Sequence, residues 1–276
     1  MAALALVAAI AGCTQTIEER EKSIPKSVID AAELTDLLLT AGDPEEAVSY
    51  FQSALANEPD RADFRRGLAV SLARAKRYPE SARVYQEMIA LSQAEPADNL
   101  EYALVSARLD KWTDAESLIA QLPTGFNSAR RHMAEGMLAD HKKNWAEADA
   151  AYARAENLTT NPANILNNWG VSLMSRGDFP AAASTFERAL SFNSRLFNAK
   201  NNLAIARGLQ GNFQLPVVPM TETEKAIILN NLGLIAMRKN ERRIAKGLFA
   251  AAVDIHPQHY REAADRLAAL ESVVEN

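Results

Sequence analysis

Residues 163–196, ANILNNWGVSLMSRGDFPAAASTFERALSFNSRL, contain the pattern that decides the fold. The large-small pair Trp169-Gly170 is followed by a turn signal and then by Ala182, with Phe186 four residues later and Ala189 three residues after that. Residues at i, i+4 and i+7 lie on one face of an α-helix. The stretch therefore predicts a hairpin of two helices with one packing stripe.

The same pattern recurs along most of the chain. The small residue returns every 33 or 34 residues, apart from one interval of 63, at Ala47, Ser81, Ala115, Ala148, Ala182 and Ala245. A bulky residue follows each of them at i+4: Phe51, Tyr85, Ile119, Tyr152, Phe186 and Phe249. Such hairpins cannot bury their apolar faces alone and must stack on their neighbours. We therefore expect one all-α solenoid over residues 28–276, ending in a capping helix at residues 258–273.

The pattern resembles the tetratricopeptide repeat, whose large-small pair, small residue, aromatic and closing proline are matched by Leu232-Gly233, Ala245, Phe249 and Pro257. The resemblance implies a right-handed superhelix whose concave side is lined by the first helix of each hairpin. A globular helical bundle is the alternative.

One repeat unit is shortened. The interval of 63 residues between Ala182 and Ala245 is about five short of two repeats, and residues 214–220, QLPVVPM, stand where a second helix is expected. Pro216 and Pro219 forbid a regular helix, and Thr221 with Glu224 forms a capping box that restarts one. The extended strip either packs along the helices or offers an edge to a partner.

Composition and motifs argue against several function classes. The net charge of −5 disfavours nucleic-acid binding. The second half of the chain, with 16 basic and 14 acidic residues against 14 and 21 in the first half, suits an anionic partner better. No nucleophile elbow, phosphate-binding loop or dinucleotide fingerprint is present, and the spacing of His132, His141, His256 and His259 does not suit a metal. We expect no enzyme, no cofactor and no metal.

The N-terminus has the pattern of a secretion signal. Residues 2–11 are uncharged and apolar, too short to span a bilayer, and are followed by Gly12 and the only cysteine, Cys13. The order Ile10-Ala11-Gly12-Cys13 resembles the lipobox of bacterial lipoproteins, which implies a signal peptide at 1–12, palmitate or a related acyl chain on Cys13, and a tether at 13–27. No Lys or Arg precedes the apolar run. A structural N-terminal helix with an incidental cysteine is the alternative.

A narrower resemblance lies in the C-terminal third. The runs 201–208, 212–221 and 256–260 look like those of TadD-type lipoproteins of tight-adherence (Flp) pilus systems. The resemblance implies an outer-membrane-anchored, periplasm-facing scaffold or pilotin-like factor for assembly of the pilus secretion apparatus. Its partner would be a protein of that apparatus, such as the secretin.

Asparagines mark the expected binding face. The second and fifth positions of the first helices carry Asn164 and Asn167, Asn198 and Asn201, and Ile227 and Asn230. Asparagine both donates and accepts hydrogen bonds, so such a column can hold a peptide backbone. Lys200 and Arg207, with other cations nearby, would steer an acidic peptide. Alternatively, these asparagines are solvated, and Asn168, Asn202 and Asn231 brace neighbouring helices.

Two functions of different classes fit these patterns. The first is the membrane-tethered scaffold, and the second is a soluble adaptor or chaperone for a secreted protein. For the first, we expect that Asn167→Ala with Asn201→Ala weakens partner capture and leaves thermal stability nearly unchanged.

Overall fold

A computed structural model describes residues 37–258 and 260–272. Within these ranges the chain is helical and contains no strand. The helices are α1 (Pro44–Asn57), α2 (Ala62–Arg74), α3 (Tyr78–Ala90), α4 (Pro96–Arg108), α5 (Trp112–Ala120), α6 (Ala129–His141), α7 (Trp145–Asn157), α8 (Ala163–Ser175), α9 (Phe179–Phe192), α10 (Phe197–Leu209), α11 (Glu222–Arg238), α12 (Arg242–Ile255) and α13 (Arg261–Ser272).

The chain divides into two compact units, the first ending at Arg77 and the second beginning at Tyr78. In the first unit, α1 packs against α2. Phe51 is fully buried there, and a methyl group on Gly67 would lie 2.4 Å from its ring. Asp43 caps α1 by accepting hydrogen bonds from the backbone N–H groups of Glu45 and Glu46.

In the second unit, each helix packs against the next one in sequence, and α4, α6, α8 and α10 also contact one another in order. This pattern is that of stacked hairpins and confirms the predicted all-α repeat architecture. Within a hairpin, the glycine of the large-small pair lies against the aromatic of the second helix, a contact that the repeat pattern alone did not specify. A Cβ on Gly170 would lie 2.5 Å from the ring of Phe186, and one on Gly233 would lie 2.5 Å from that of Phe249.

The turns between the two helices of successive hairpins share one backbone geometry. A residue with positive φ, between 57° and 90°, stands at Asp110, Lys143, Gly177, Gly211 and Asn240. The next residue then donates its N–H to a carbonyl five positions back, as Asp178 does to Leu173 at 3.0 Å. The turn at Gly211 keeps this form although no helix follows it directly.

The shortened unit is a packed linker, one of the two predicted possibilities. Phe213, Leu215 and Met220 pack against the core between α10 and α11, and Pro216 is buried. Val217 is fully exposed. The predicted capping box is confirmed: Thr221 accepts from the N–H of Glu224, and Glu224 accepts from the N–H of Thr221.

Two elements differ in length from the prediction. Helix α5 ends at Ala120, so Leu122 lies beyond it in a loop that contains Pro123, yet its side chain remains buried. The capping helix α13 begins at Arg261 rather than at Gln258, because the chain turns at Pro257. The capping helix packs through one apolar face, with Ala263 buried and Leu267 and Leu270 against the core of α11 and α12.

Candidate functional site

A ladder of side-chain hydrogen bonds joins the first helices of the second unit. Asn202 on α10 donates to Asn167 on α8 at 3.1 Å, and Asn231 on α11 donates to Asn201 on α10 at 2.7 Å. One repeat earlier, Asn168 donates to the sulfur of Met133 on α6 at 3.2 Å. Positions are counted in the repeat register, which begins with the helix at Ala163 in α8 and at Phe197 in α10, but at Ala226, four residues inside the helix, in α11. In every rung the sixth position of one first helix donates to the fifth position of the preceding one. The structure thus confirms that these sixth-position asparagines brace neighbouring helices.

The ladder changes what is expected of Asn167 and Asn201. Each has its carbonyl oxygen occupied, and each keeps its amide N–H groups free of partners in the described part of the chain. Removing them would leave Asn202 and Asn231 without acceptors, so we now expect the Asn167→Ala, Asn201→Ala pair to lower stability as well as to alter binding.

Asn164 and Asn198 are placed differently. Both are exposed, and neither makes a side-chain hydrogen bond within the described residues. They stand at the second positions of α8 and α10, one turn before Asn167 and Asn201 and on the same helix faces.

Asn230 does not fit the predicted row of peptide-binding groups. Its side chain is buried, 5% exposed, and its oxygen accepts from Arg266 of α13 at 2.9 Å. Arg266 occupies the position in α13 that Asn231 occupies in α11, so the capping helix supplies the last rung of the ladder.

Lys200 does not fit the predicted role of an exposed steering charge. Its side chain is 4% exposed, and its ammonium group lies 3.0 and 3.2 Å from the two carboxylate oxygens of Glu224. Burial opposes ionisation of Glu224, but hydrogen bonds from the N–H of Thr221 and from Lys200 outweigh it and lower the pKa of that carboxyl group. The pair therefore joins α10 to α11 across the packed linker.

Arg207 remains on the surface but already has a partner. Its guanidinium group donates to Glu187 on α9 at 2.6 Å, and both side chains are partly exposed. An acidic peptide could bind Arg207 only by displacing Glu187 from it.

An apolar row, missed by the sequence analysis, runs beside the asparagines. It lies at the ninth position of each first helix, on the same face as positions two and five, and comprises Leu104, Met137, Val171, Ile205 and Leu234. Val171 is 40% exposed and Leu234 37%. The sequence contains the information needed to find this row, because its members recur with the same spacing as the repeat units.

A groove of about 320 Å³ lies where this row ends. Its apolar lining comes from α11, α12 and α13 and consists of Leu234, Met237, Phe249, Ala269 and Leu270. Arg242 and Arg266 stand beside it. The groove can accept an apolar side chain.

A half-buried acid did not stand out in the sequence. Asp140 at the end of α6 accepts hydrogen bonds from the hydroxyl groups of Tyr152 on α7 and Ser172 on α8, at 2.7 and 2.5 Å. Burial raises the pKa of Asp140 more than these bonds lower it, and burial also raises the pKa of Tyr152. Since both donors point at the acid from neighbouring helices, its role is to hold three helices together.

The histidines that the structure describes have ordinary side-chain contacts. His132 bonds to Glu135 and Asn127, and His141 stacks on Trp112. Residues 37–258 and 260–272 contain no cluster of metal-ligating side chains and no helix with the length and hydropathy to cross a bilayer. His259, Cys13, the predicted signal peptide at 1–12 and the predicted tether at 13–27 lie outside the described residues.

Comparison with known proteins identifies the fold. A family model described as tetratricopeptide repeat matches residues 33–96. No curated protein matches the chain significantly. Solved structures of similar fold include the following three.

The first is a chain of the APC/C hetero-tetramer Cut9-Hcn1, at 15% identity and a TM-score of 0.59 over 92% of this chain and 51% of that one. The second is a tetratricopeptide repeat protein from Parabacteroides merdae, at 14% identity and a TM-score of 0.54 over 92% and 89%. The third is PilW, described as a widely conserved type IV pilus biogenesis factor, at 20% identity and a TM-score of 0.55 over 77% and 98%.

These matches and the stacked hairpins give the chain the fold of a tetratricopeptide-repeat protein. Such proteins are typically non-catalytic scaffolds that bind other proteins.

Proposed function

We propose that this tetratricopeptide-repeat solenoid is a lipid-anchored scaffold that binds an extended segment of a protein in a pilus secretion apparatus. The binding face would be the asparagines of α8 and α10 together with the apolar row of α8, α10 and α11. The membrane anchor would be an acyl chain on Cys13, and the protein would face the periplasm from the outer membrane.

The exposure of Asn164 and Asn198 beside Val171 carries the binding part of the proposal. These amides have no intramolecular partner within the described residues, and an exposed apolar side chain follows on the same face. An extended peptide needs both kinds of contact: amides for its backbone and apolar surface for alternate side chains.

The pilus part rests on the resemblance of the C-terminal runs to TadD-type lipoproteins. The similarity in fold to PilW, itself a pilus biogenesis factor, is consistent with it. The lipobox-like order at residues 10–13 supports the anchor.

The binding face can be tested without disturbing the ladder. A photocrosslinking residue at position 164 or 198, used in cells and followed by mass spectrometry, should capture a component of the secretion apparatus. Asn57 and Asn157, exposed at the last positions of α1 and α7, provide matched control sites. With the partner purified, Asn164→Ala with Asn198→Ala should weaken binding about tenfold, since two hydrogen-bonding groups are lost.

Asn57→Ala with Asn157→Ala should leave the affinity unchanged, and both double variants should keep the wild-type melting temperature. Equal affinity in the two double variants would exclude this face as the binding site.

The anchor needs its own experiment. Labelled palmitate should be incorporated into the wild-type chain and lost in Cys13→Ser. Absence of label from the wild-type chain would instead support the soluble adaptor.

A further inference from the structure

The turn between α11 and α12 concentrates positive charge. Arg238, Lys239, Arg242 and Arg243 fall within six residues and are all exposed, in a chain whose net charge is −5. Glu241 is the only acid among them.

These cations form no ion pair within the described part of the fold. Arg238, Arg242 and Arg243 have no acid within ion-pair distance there, whereas other surface arginines, such as Arg188 and Arg207, are paired with acids. Lys239 donates only to the carbonyl oxygen of Leu209.

The cations do not serve the stability of α12 either. Arg242 and Arg243 occupy its first turn, which contains no acid. The positive end of the helix dipole disfavours cations at this position. The cluster therefore has a local electrostatic cost, and an external anion would offset it.

The shape of the turn indicates which kind of anion fits. The hollow around it is lined only by residues of the turn itself, Asn240 to Ile244. Of the four cations only Arg242 also borders the apolar groove of α11, α12 and α13, so the rest of the cluster has no second wall that could hold a peptide. Ile244 is 38% exposed beside the arginines. An apolar side chain among cations at a protruding turn suits a flat anionic surface that has an apolar layer beneath it.

We propose that the turn of residues 238–244 docks on an anionic membrane surface. The four cations bind lipid phosphates, and Ile244 enters the interface. This contact goes beyond the proposed scaffold function and requires neither acylation of Cys13 nor an occupied peptide site.

The experiment is vesicle cosedimentation of the purified full-length chain carrying Cys13→Ser, which removes any acyl anchor. Vesicles of equal phosphatidylglycerol and phosphatidylcholine should bind the protein at low salt and release it as salt is raised. Arg242→Glu with Arg243→Glu should lower the partition coefficient at least about tenfold. Acids in the first turn of a helix are favourable, so this variant should fold normally.

Lys111→Glu with Lys143→Glu is the control, because it makes the same change in net charge at two exposed lysines of other hairpin turns that form no ion pair with any described residue. It should bind within about twofold of the parent, since its lysines lie outside the docking turn. Ile244→Ser should weaken binding by a smaller factor than the arginine variant. All variants share the apolar residues 2–11, so differences among them report the turn.

Two results would overturn the proposal. If both charge-reversal variants lose binding equally, the effect is one of net charge and the turn has no special role. If no variant binds the anionic vesicles at low salt, the turn serves an acidic protein instead.

Discussion

Replacing Glu224 with glutamine should destabilise the second unit, because it removes the charge that compensates buried Lys200. Glutamine keeps an oxygen that can accept from the N–H of Thr221, so the capping box is largely preserved. Breaking a fully buried ion pair costs about 3–5 kcal/mol. Glu224 is 21% exposed, and the amide oxygen can still accept a neutral hydrogen bond from Lys200, so we expect a loss of about 2 kcal/mol in the free energy of unfolding.

A double-mutant cycle isolates the pair. Lys200→Met keeps most of the packed side chain and leaves Glu224 partly hydrated, at a cost of about 1 kcal/mol. The double variant has no unpaired charge left, so its loss should be close to that of Lys200→Met alone. The coupling energy should then be about 2 kcal/mol. Urea denaturation followed by circular dichroism at pH 7 measures all four chains.

The pH dependence has a definite sign. The pKa of Glu224 is lower in the folded protein than in the unfolded chain, so its contribution is present above the unfolded value of about 4.3 and is lost as pH falls through the folded value. The difference between wild type and Glu224→Gln should therefore be largest near neutral pH and shrink below about pH 4. Equal urea midpoints at pH 7, or a difference that persists unchanged in acid, would refute the reasoning.

Two further predictions concern packing and the ladder. Gly170→Ala places a methyl group 2.5 Å from the ring of Phe186 and should lower stability by about 2 kcal/mol, whereas Gly247→Ala, on an open helix face, should raise it by about 1 kcal/mol. Thermal melts of the two variants should shift in opposite directions, and a shared direction would contradict the packing argument. Asn231→Ala removes one rung of the ladder and should cost about 1 kcal/mol in urea denaturation. A variant as stable as wild type would show that the rung contributes nothing.

The repeat register was readable from sequence because its determinants are local. Ala182, Phe186 and Ala189 lie within one helix, and all three are fully buried as predicted. The close approach of the two helices of a hairpin was predictable from the glycine of the pair Trp169-Gly170, whereas its contact with Phe186 became apparent only in the structure.

The errors in the site came from partners that lie farther along the chain. Lys200 was taken for a surface charge because Glu224, its partner, stands beyond the packed linker. Asn230 has the same register position as Asn167, but the helix packed against it is the capping helix with Arg266. The hydrogen-bond partner of a fifth-position residue is therefore the sixth-position residue of the following first helix. The pattern of a single repeat does not contain that residue.

The ladder also has a polarity along the chain. Each unit donates a hydrogen bond only to the unit before it. Copies of α8 and α9 can therefore be inserted in tandem, because every new junction repeats the same donor and acceptor positions. A chain truncated after α12, by contrast, would lack Arg266 and leave the side-chain oxygen of Asn230 without its hydrogen-bond donor. Any truncated or extended derivative should therefore retain a terminal helix whose sixth residue can donate.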